Sequence, residues 1–143
     1  MRKVGTLTLR RRVTWGDLDA LGIVFYPRYY EWIDEASHIF FDKIGLNPGR
    51  LLRERGITFA LAETGCRYFR PGRYHDEIEI ITELEELGEK TLTLRHEMRL
   101  SGNEVLLEGY EKRICVRRLE GTTFEAVSIP EDILTLLRDH LQR

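Results

Sequence analysis

Two aspartates one residue apart, Asp17 and Asp19, lead into Gly22, the apolar run Ile23-Val24-Phe25-Tyr26 and then Pro27. A carboxylate can attack a carbonyl carbon directly or take a proton from a water that does so. A proline fits the first turn of a helix, so a helix is expected to start near Tyr26. The first N–H groups of a helix lack intrahelical acceptors, and its dipole favours negative charge at that end. A carboxylate beside such an N-terminus supplies a reactive group together with donors for an oxyanion. Pro27 has no N–H, which leaves Tyr26, or Arg28 and Tyr29, as donors. The loop is apolar enough that it is expected to be buried.

Each polar residue here also has a plainer reading. In an extended segment Asp17 and Asp19 face the same way, and a coupled pair would raise one pKa. A turn aspartate bonding nearby N–H groups is the favoured reading of Asp17. Asp34 lies beside the apolar stripe of the following helix, four residues before His38, a spacing that lets the two pair. His96 falls on the apolar face of a strand, where a histidine is ordinarily a hydrogen-bonded core residue. His75 follows Pro71-Gly72 and is expected at the surface. Cys66 and Cys115 have no CxxC spacing and no adjacent histidine or helix N-terminus, which reads as free thiols in a reducing cytoplasm. No His, Cys, Asp or Glu cluster has metal-ligand spacing, so no metal is expected, and no GxSxG marks a serine nucleophile.

The elements that must hold these residues follow from periodicity. Thr6 to Val13 alternates as a half-buried strand, with Leu7, Leu9 and Val13 on one face. Arg10 and Arg12 share the other face and read as a solvated edge. Tyr29, Trp32, Ile33, Ala36, Phe40 and Ile44 repeat at three and four, the stripe of a long amphipathic helix closed by Gly45. Asn47-Pro48-Gly49-Arg50 reads as a turn and Leu51 to Arg55 as a short helix ending at Gly56. Four strands follow, Ile57 to Phe69, Tyr74 to Leu84, Thr91 to Leu100 and Glu104 to Arg117, and Pro130 opens a C-terminal helix. Hairpin-length connections imply antiparallel pairing, so the class is α+β, with one domain over residues 1–143.

Composition narrows the function classes. At 42% hydrophobic and 32% charged residues with a net charge of −2, the chain is neither disordered nor polybasic, and nucleic-acid binding has no electrostatic support. The N-terminus lacks the apolar run of a signal peptide and no stretch reaches membrane-spanning length, which points to the cytoplasm.

The stretch Asp17-Leu18-Asp19-Ala20-Leu21-Gly22-Ile23-Val24-Phe25-Tyr26-Pro27-Arg28-Tyr29, continued by Trp32-Ile33-Asp34-Glu35-Ala36-Ser37, resembles the signature of the 4-hydroxybenzoyl-CoA thioesterase family. The resemblance implies a hotdog fold, a curled antiparallel sheet around a long central helix, and acyl-CoA thioester hydrolysis without a cofactor, CoA being part of the substrate. It assigns the catalytic carboxylate to Asp19 and polarisation of the thioester carbonyl to the Tyr26 N–H. It places Asp34 near the acyl group and Lys90 at the nucleotide; Phe25, Tyr29, Trp32 and Phe59 read from the residues alone as the lining of an aromatic acyl pocket or, equally, as core. Two positions depart from the pattern. Gly88 and Glu89 stand where relatives carry arginines, and Arg28 stands where relatives commonly carry asparagine; a cation there opposes the helix dipole and is expected to reach a ligand phosphate or a neighbouring subunit's carboxylate. The family also implies a homodimer or a homotetramer built as a dimer of dimers. Aromatic and short or medium aliphatic acyl groups both remain open. So do an acyl carrier protein in place of CoA, docked on Arg10 to Arg12, and a non-catalytic acyl-CoA-binding module. A dehydratase of this fold would be expected to place a histidine between Trp15 and Trp32, and none is present.

Overall fold

The computed structural model describes residues 5–142. Strand β1 (Leu7–Arg12) is followed by a 3-10 turn (Trp15–Asp17), the long helix α1 (Pro27–Lys43) and the short helix α2 (Pro48–Arg55). Strands β2 (Ile57–Tyr68), β3 (Glu77–Leu87), β4 (Thr91–Leu100), β5 (Val105–Arg118) and β6 (Phe124–Ala126) come next, and helix α3 (Glu131–Arg138) ends the fold. The strands form one antiparallel sheet in the order β1-β3-β4-β5-β2, with β6 beside the end of β5. No helix among the described residues is long and apolar enough to cross a membrane.

Helix α1 forms where the three-four stripe begins and lays that stripe on the sheet: Tyr29, Trp32, Ile33, Ala36 and Phe40 are all buried. The helix stops at Gly45, whose φ of 89° lies in the left-handed region that glycine enters without penalty. Helix α2 starts at Pro48, earlier than the sequence suggests, because the Asn47 side chain accepts the Arg50 N–H at 2.9 Å and caps it. Strand β3 starts at Glu77 and not at Tyr74, since residues 74–76 turn away with His75 at a φ of 72°. The 3-10 turn and β6, three residues each, are too short to leave a periodicity.

The core has two apolar halves. One gathers Val13, Val24, Tyr29, Trp32, Ile33, Ile78 and Met98 beneath the start of α1, and the other gathers Phe40, Phe41, Leu84, Leu94, Ile133 and Leu137 beneath its end and α3. Between them, buried side chains of Ser37, Thr82, His96, Glu111 and Arg113 form a polar waist. Thr82 Oγ1 lies 2.8 Å from His96 Nδ1, Ser37 Oγ lies 3.1 Å from His96 Nε2 and donates to Glu111, and Arg113 Nη2 donates to Glu111 Oε2 at 2.9 Å. Burial pushes the Glu111 carboxyl up, but the His96 hydrogen bond, the Arg113 charge and the Ser37 hydroxyl outweigh it and hold it below the ordinary range. His96 is thus the hydrogen-bonded core residue that its apolar strand face suggests.

Candidate active site

Residues 17–25 form a tight antiparallel hairpin. Phe25 donates its N–H to Asp17 O at 2.8 Å, Leu18 bridges Val24, and Asp19 donates its N–H to Ile23 O at 2.8 Å. Gly22, at a φ of 78°, closes the tip by donating to Asp19 O at 3.0 Å. The hairpin is tied to the 71–76 segment, where Val24 donates to Gly72 O at 2.9 Å and Gly72 donates to the Tyr29 hydroxyl at 2.9 Å. A Cβ on Gly72 would stand 2.9 Å from Val24 Cγ2, so only glycine allows this approach. The hairpin and the 71–76 segment are thereby both fixed against the start of α1.

The two aspartates take different partners. Asp17 is 5% exposed; its Oδ2 accepts the Thr14 N–H and the Thr14 hydroxyl, both at 2.9 Å. Its Oδ1 lies between Arg11 (3.8 Å) and Arg28 (3.9 Å). This is the turn-forming role expected of Asp17, made within a 3-10 turn and not in an extended segment. Asp19 is half-buried, and its Oδ1 accepts the Leu21 N–H at 2.8 Å. Arg28 finds its acceptors inside the chain: Glu31 Oε1 at 3.0 Å, the Gly16 carbonyl at 3.5 Å and the Asp17 carboxylate. Where a ligand phosphate or another subunit's carboxylate is expected, the carboxylates beside it are those of its own chain, Asp17 and Glu31, which offset the unfavourable cation at the helix N-terminus.

The donors of that N-terminus are unequal. Arg28 N–H donates to Phe25 O at 2.9 Å and Tyr29 N–H to Tyr26 O at 3.1 Å. The Phe25 N–H is held by Asp17, and Pro27 has none. Tyr26 N–H has no acceptor among the described residues. Of the three donors considered from sequence, one remains free.

Beside it opens an apolar cavity of about 370 Å3 lined by Ile23, Tyr26, Tyr29, Tyr68, Phe69 and Pro71. Tyr29 presents its ring to this space, but its hydroxyl is turned to Gly72, and burial raises its phenol pKa. Burial and the neighbouring Cys66 push the Tyr68 phenol up as well. The loop itself is less buried than its composition suggests: Trp15 is 74%, Leu21 80% and Tyr26 62% exposed, and Phe25 is exposed beside them. Among the described residues only ring edges touch Trp15 and Phe25, and both stay largely open to solvent.

Asp34 and Lys90 lie away from this centre. Asp34 is eight residues along α1 from Tyr26, about 12 Å at the helical rise, with its side chain 58% exposed. It is paired with His38 as the spacing suggests, at 3.4 Å, and also accepts from buried Arg113 at 3.1 Å. Lys90 follows the far end of β3, about 30 Å along the strand from the 71–76 segment. It is exposed. Burial pushes both free cysteines, Cys66 and Cys115, up, which makes neither a ready nucleophile. No group of three or more His, Cys, Asp or Glu among the described residues is arranged to hold a metal ion.

A hotdog sheet around a central helix, with an aspartate hairpin feeding a free N–H at the helix N-terminus, defines a class of thioesterase folds. Residues 13–137 match the family model described as the thioesterase-like superfamily. The chain is 31% identical over 136 residues to 4-hydroxybenzoyl-CoA thioesterase of Pseudomonas sp. strain CBS-3, covering 92% of this chain and 96% of that one. Among solved structures it resembles a gentisyl-coenzyme A thioesterase (33% identity, TM-score 0.80, 92% and 99% covered). It also resembles an aspartate-to-asparagine variant of 4-hydroxybenzoyl-CoA thioesterase complexed with 4-hydroxybenzoyl-CoA (28% identity, TM-score 0.85, 92% and 98% covered). The chain belongs to the thioesterase-like superfamily and is a thioester hydrolase of hotdog fold.

Proposed function

We propose that the protein is an acyl-CoA thioesterase, cleaving the thioester of an aromatic or short- to medium-chain acyl-CoA to the free acid and CoA. The unpaired Tyr26 N–H carries this reading. It is the free donor at an N-terminus whose other donors are engaged, and it borders an apolar cavity sized for a small acyl group. In this reading the thioester carbonyl accepts the Tyr26 N–H, the α1 dipole stabilises the oxyanion, and Asp19 attacks the carbonyl or activates the water that does. If Asp19 attacks, the C–S bond breaks, CoA leaves as the thiolate and takes a proton from water, and a second water hydrolyses the mixed anhydride to the free acid; if Asp19 activates water, the proton it takes goes to the departing sulfur. The single domain of residues 1–143 needs no metal or cofactor for these steps.

The acyl group rests against Phe25, Tyr29 and the cavity wall, and Asp34 offers a carboxylate to a polar substituent on it. Asp34 and Lys90 are remote from Asp19 of their own chain, which supports sites shared between subunits. The bare outer edge of β2 and the exposed Leu21, Phe25 and Tyr26 support a homodimer, or a homotetramer of two such dimers, and the free cysteines support a reducing cytoplasm.

The test is thiol release from benzoyl-, hydroxybenzoyl-, phenylacetyl- and short and long aliphatic CoA esters by the wild type and Asp19→Asn. Turnover of some members, with kcat falling at least roughly 100-fold in the folded variant, is the expected result. Full activity in Asp19→Asn removes the carboxylate from the mechanism. Binding of CoA esters without release of thiol makes the protein a binding module.

A further inference from the structure

A second cavity, to which hydrolysis assigns no role, lies at the end of α1 far from the catalytic hairpin. It has a volume of about 160 Å3 and is lined by Thr6, Leu7, Phe40, Ile44 and His140, with exposed Lys43 beside them. Ile44 is eighteen residues along α1 from Tyr26, about 27 Å at the helical rise. Leu7, Phe40 and Ile44 are buried and give the cavity an apolar wall. Residues from both ends of the described chain close it. Leu141 bridges Leu84 in parallel, and Gln142 N–H donates to Leu84 O at 3.0 Å. Gly5, at a φ of 79°, packs so tightly under this segment that a Cβ there would stand 3.0 Å from His140 O.

Two side-chain atoms at this cavity are out of balance. Thr6 Oγ1 and His140 Nδ1 are shut off from solvent and have no hydrogen-bond partner among the described residues. A buried polar atom without a partner carries its full desolvation cost, and native folds keep few of them. The other such atoms among the described residues, Arg11 Nε and Arg28 Nε, belong to guanidinium groups whose charge Asp17 answers. Thr6 and His140 instead share the lining of one apolar space.

We propose that this cavity binds a small neutral aromatic alcohol, a phenol, with its ring on Leu7, Phe40 and Ile44 and its hydroxyl hydrogen-bonded to His140 Nδ1 and Thr6 Oγ1. The inference is independent of the thioesterase reading. The size fits, since an apolar cavity of about 150 Å3 takes a benzene ring. A hydroxyl both donates and accepts, so it serves a histidine nitrogen and a threonine hydroxyl together. The last carbonyls of α1 put the negative end of the helix dipole here, which favours a neutral ligand over a carboxylate.

The experiment titrates phenol, benzene and benzoate into the wild type, Ile44→Trp and Thr6→Val/His140→Leu, read by calorimetry, thermal melts and backbone amide shifts. Phenol should bind the wild type and raise its Tm by mass action, moving the amides of residues 5–7, 40–46 and 140–142. Benzene should bind about fivefold more weakly, as one lost hydrogen bond implies, and benzoate no better than benzene. Thr6→Val/His140→Leu should be at least as stable as the wild type, because both unpartnered atoms are gone, and should bind phenol and benzene alike. Ile44→Trp fills the space and should bind neither. Phenol binding that survives in folded Ile44→Trp, or that keeps its advantage over benzene in Thr6→Val/His140→Leu, overturns the proposal. So do amide shifts confined to residues 23–29 and 68–71, which would put the ring in the cavity beside Tyr26. Benzoate binding tighter than phenol also overturns it, making Lys43 the anchor of an anion site. Absence of binding by both rings to the wild type overturns it too and leaves water as the partner of the two atoms.

Discussion

The carbonyl of Asp17 accepts the Phe25 N–H at 2.8 Å, and this bond delivers the next N–H, that of Tyr26, free of any partner. The Asp17 side chain stabilises the same turn through Thr14 and between Arg11 and Arg28. Asp17→Ala should therefore cost about 1–2 kcal/mol of stability, the value of a lost cap. It should also lower kcat more than it raises KM, because Arg11 loses its carboxylate, Arg28 keeps only Glu31, and the loosened turn shifts the proposed oxyanion donor. Urea unfolding and steady-state kinetics on one preparation check both effects. A normal kcat in a destabilised variant would separate the turn from catalysis.

Tyr29 and Gly72 lock the hairpin to the 71–76 segment. Tyr29→Phe leaves the Gly72 N–H buried without an acceptor, so the expected cost is about 1–3 kcal/mol. Gly72→Ala brings its Cβ to 2.9 Å from Val24 Cγ2 and 3.2 Å from the Tyr29 hydroxyl, and overpacking of that kind costs about 1–3 kcal/mol. Both sites share the same contact, so the double variant should cost less than the sum of the singles. Additive effects in chemical denaturation would show that the two residues act independently.

The polar waist makes acid a specific threat. Glu111 has a depressed pKa in the folded chain, so its contribution is fully present above the unfolded carboxylate pKa and is lost as pH falls through the folded value. Glu111→Gln should flatten the acid limb of the stability curve. Arg113→Met leaves the buried Glu111 carboxylate without its cation, held by Ser37 and His96 alone, and should cost about 3–5 kcal/mol, whereas Glu111→Leu/Arg113→Met should recover most of that loss. Thermal melts across pH 4 to 8 would read all three, and a double variant as unstable as Arg113→Met would mean that His96 and Ser37 need the carboxylate for themselves.

Much of this architecture is legible from local pattern, and what is not depends on distant partners. The α1 stripe from Tyr29 to Ile44 and the alternation of Leu92, Leu94, His96 and Met98 are local, and both stand as the periodicity implies. The turn role of Asp17 is local too. Arg28 is half legible: Glu31 stands three residues on in the same helix, but its other acceptors, Gly16 and Asp17, lie across a turn that no local pattern brings to it. The exposure of the hairpin is not legible from its composition, because apolar residues can be covered by another subunit as well as by their own core. Glu111 and Arg113 read as ordinary charges on β5, yet a count of two from Gly109 to Cys115 places both on the inward face. That paired inward placement was the available signal.

In the proposed site shared between subunits, Asp34 is the residue that tests acyl specificity. Its Oδ1 accepts from Arg113 Nη2 at 3.1 Å, while Arg113 Nη1 donates to the Phe59 carbonyl at 3.0 Å, so a buried cation anchored on the sheet fixes a surface carboxylate. His38 Nδ1 lies 3.4 Å from Oδ2, and the side chain is 58% exposed, open to a further donor. An acyl group carrying a hydroxyl can supply that donor, and an unsubstituted ring cannot. Asp34→Asn should therefore lower kcat/KM for hydroxybenzoyl-CoA about tenfold, in the range of a hydrogen bond to a charged group, and change benzoyl-CoA turnover much less. Equal losses on both esters would make Asp34 a support for α1 and assign the selection of the acyl group to the aromatic cavity beside Tyr26.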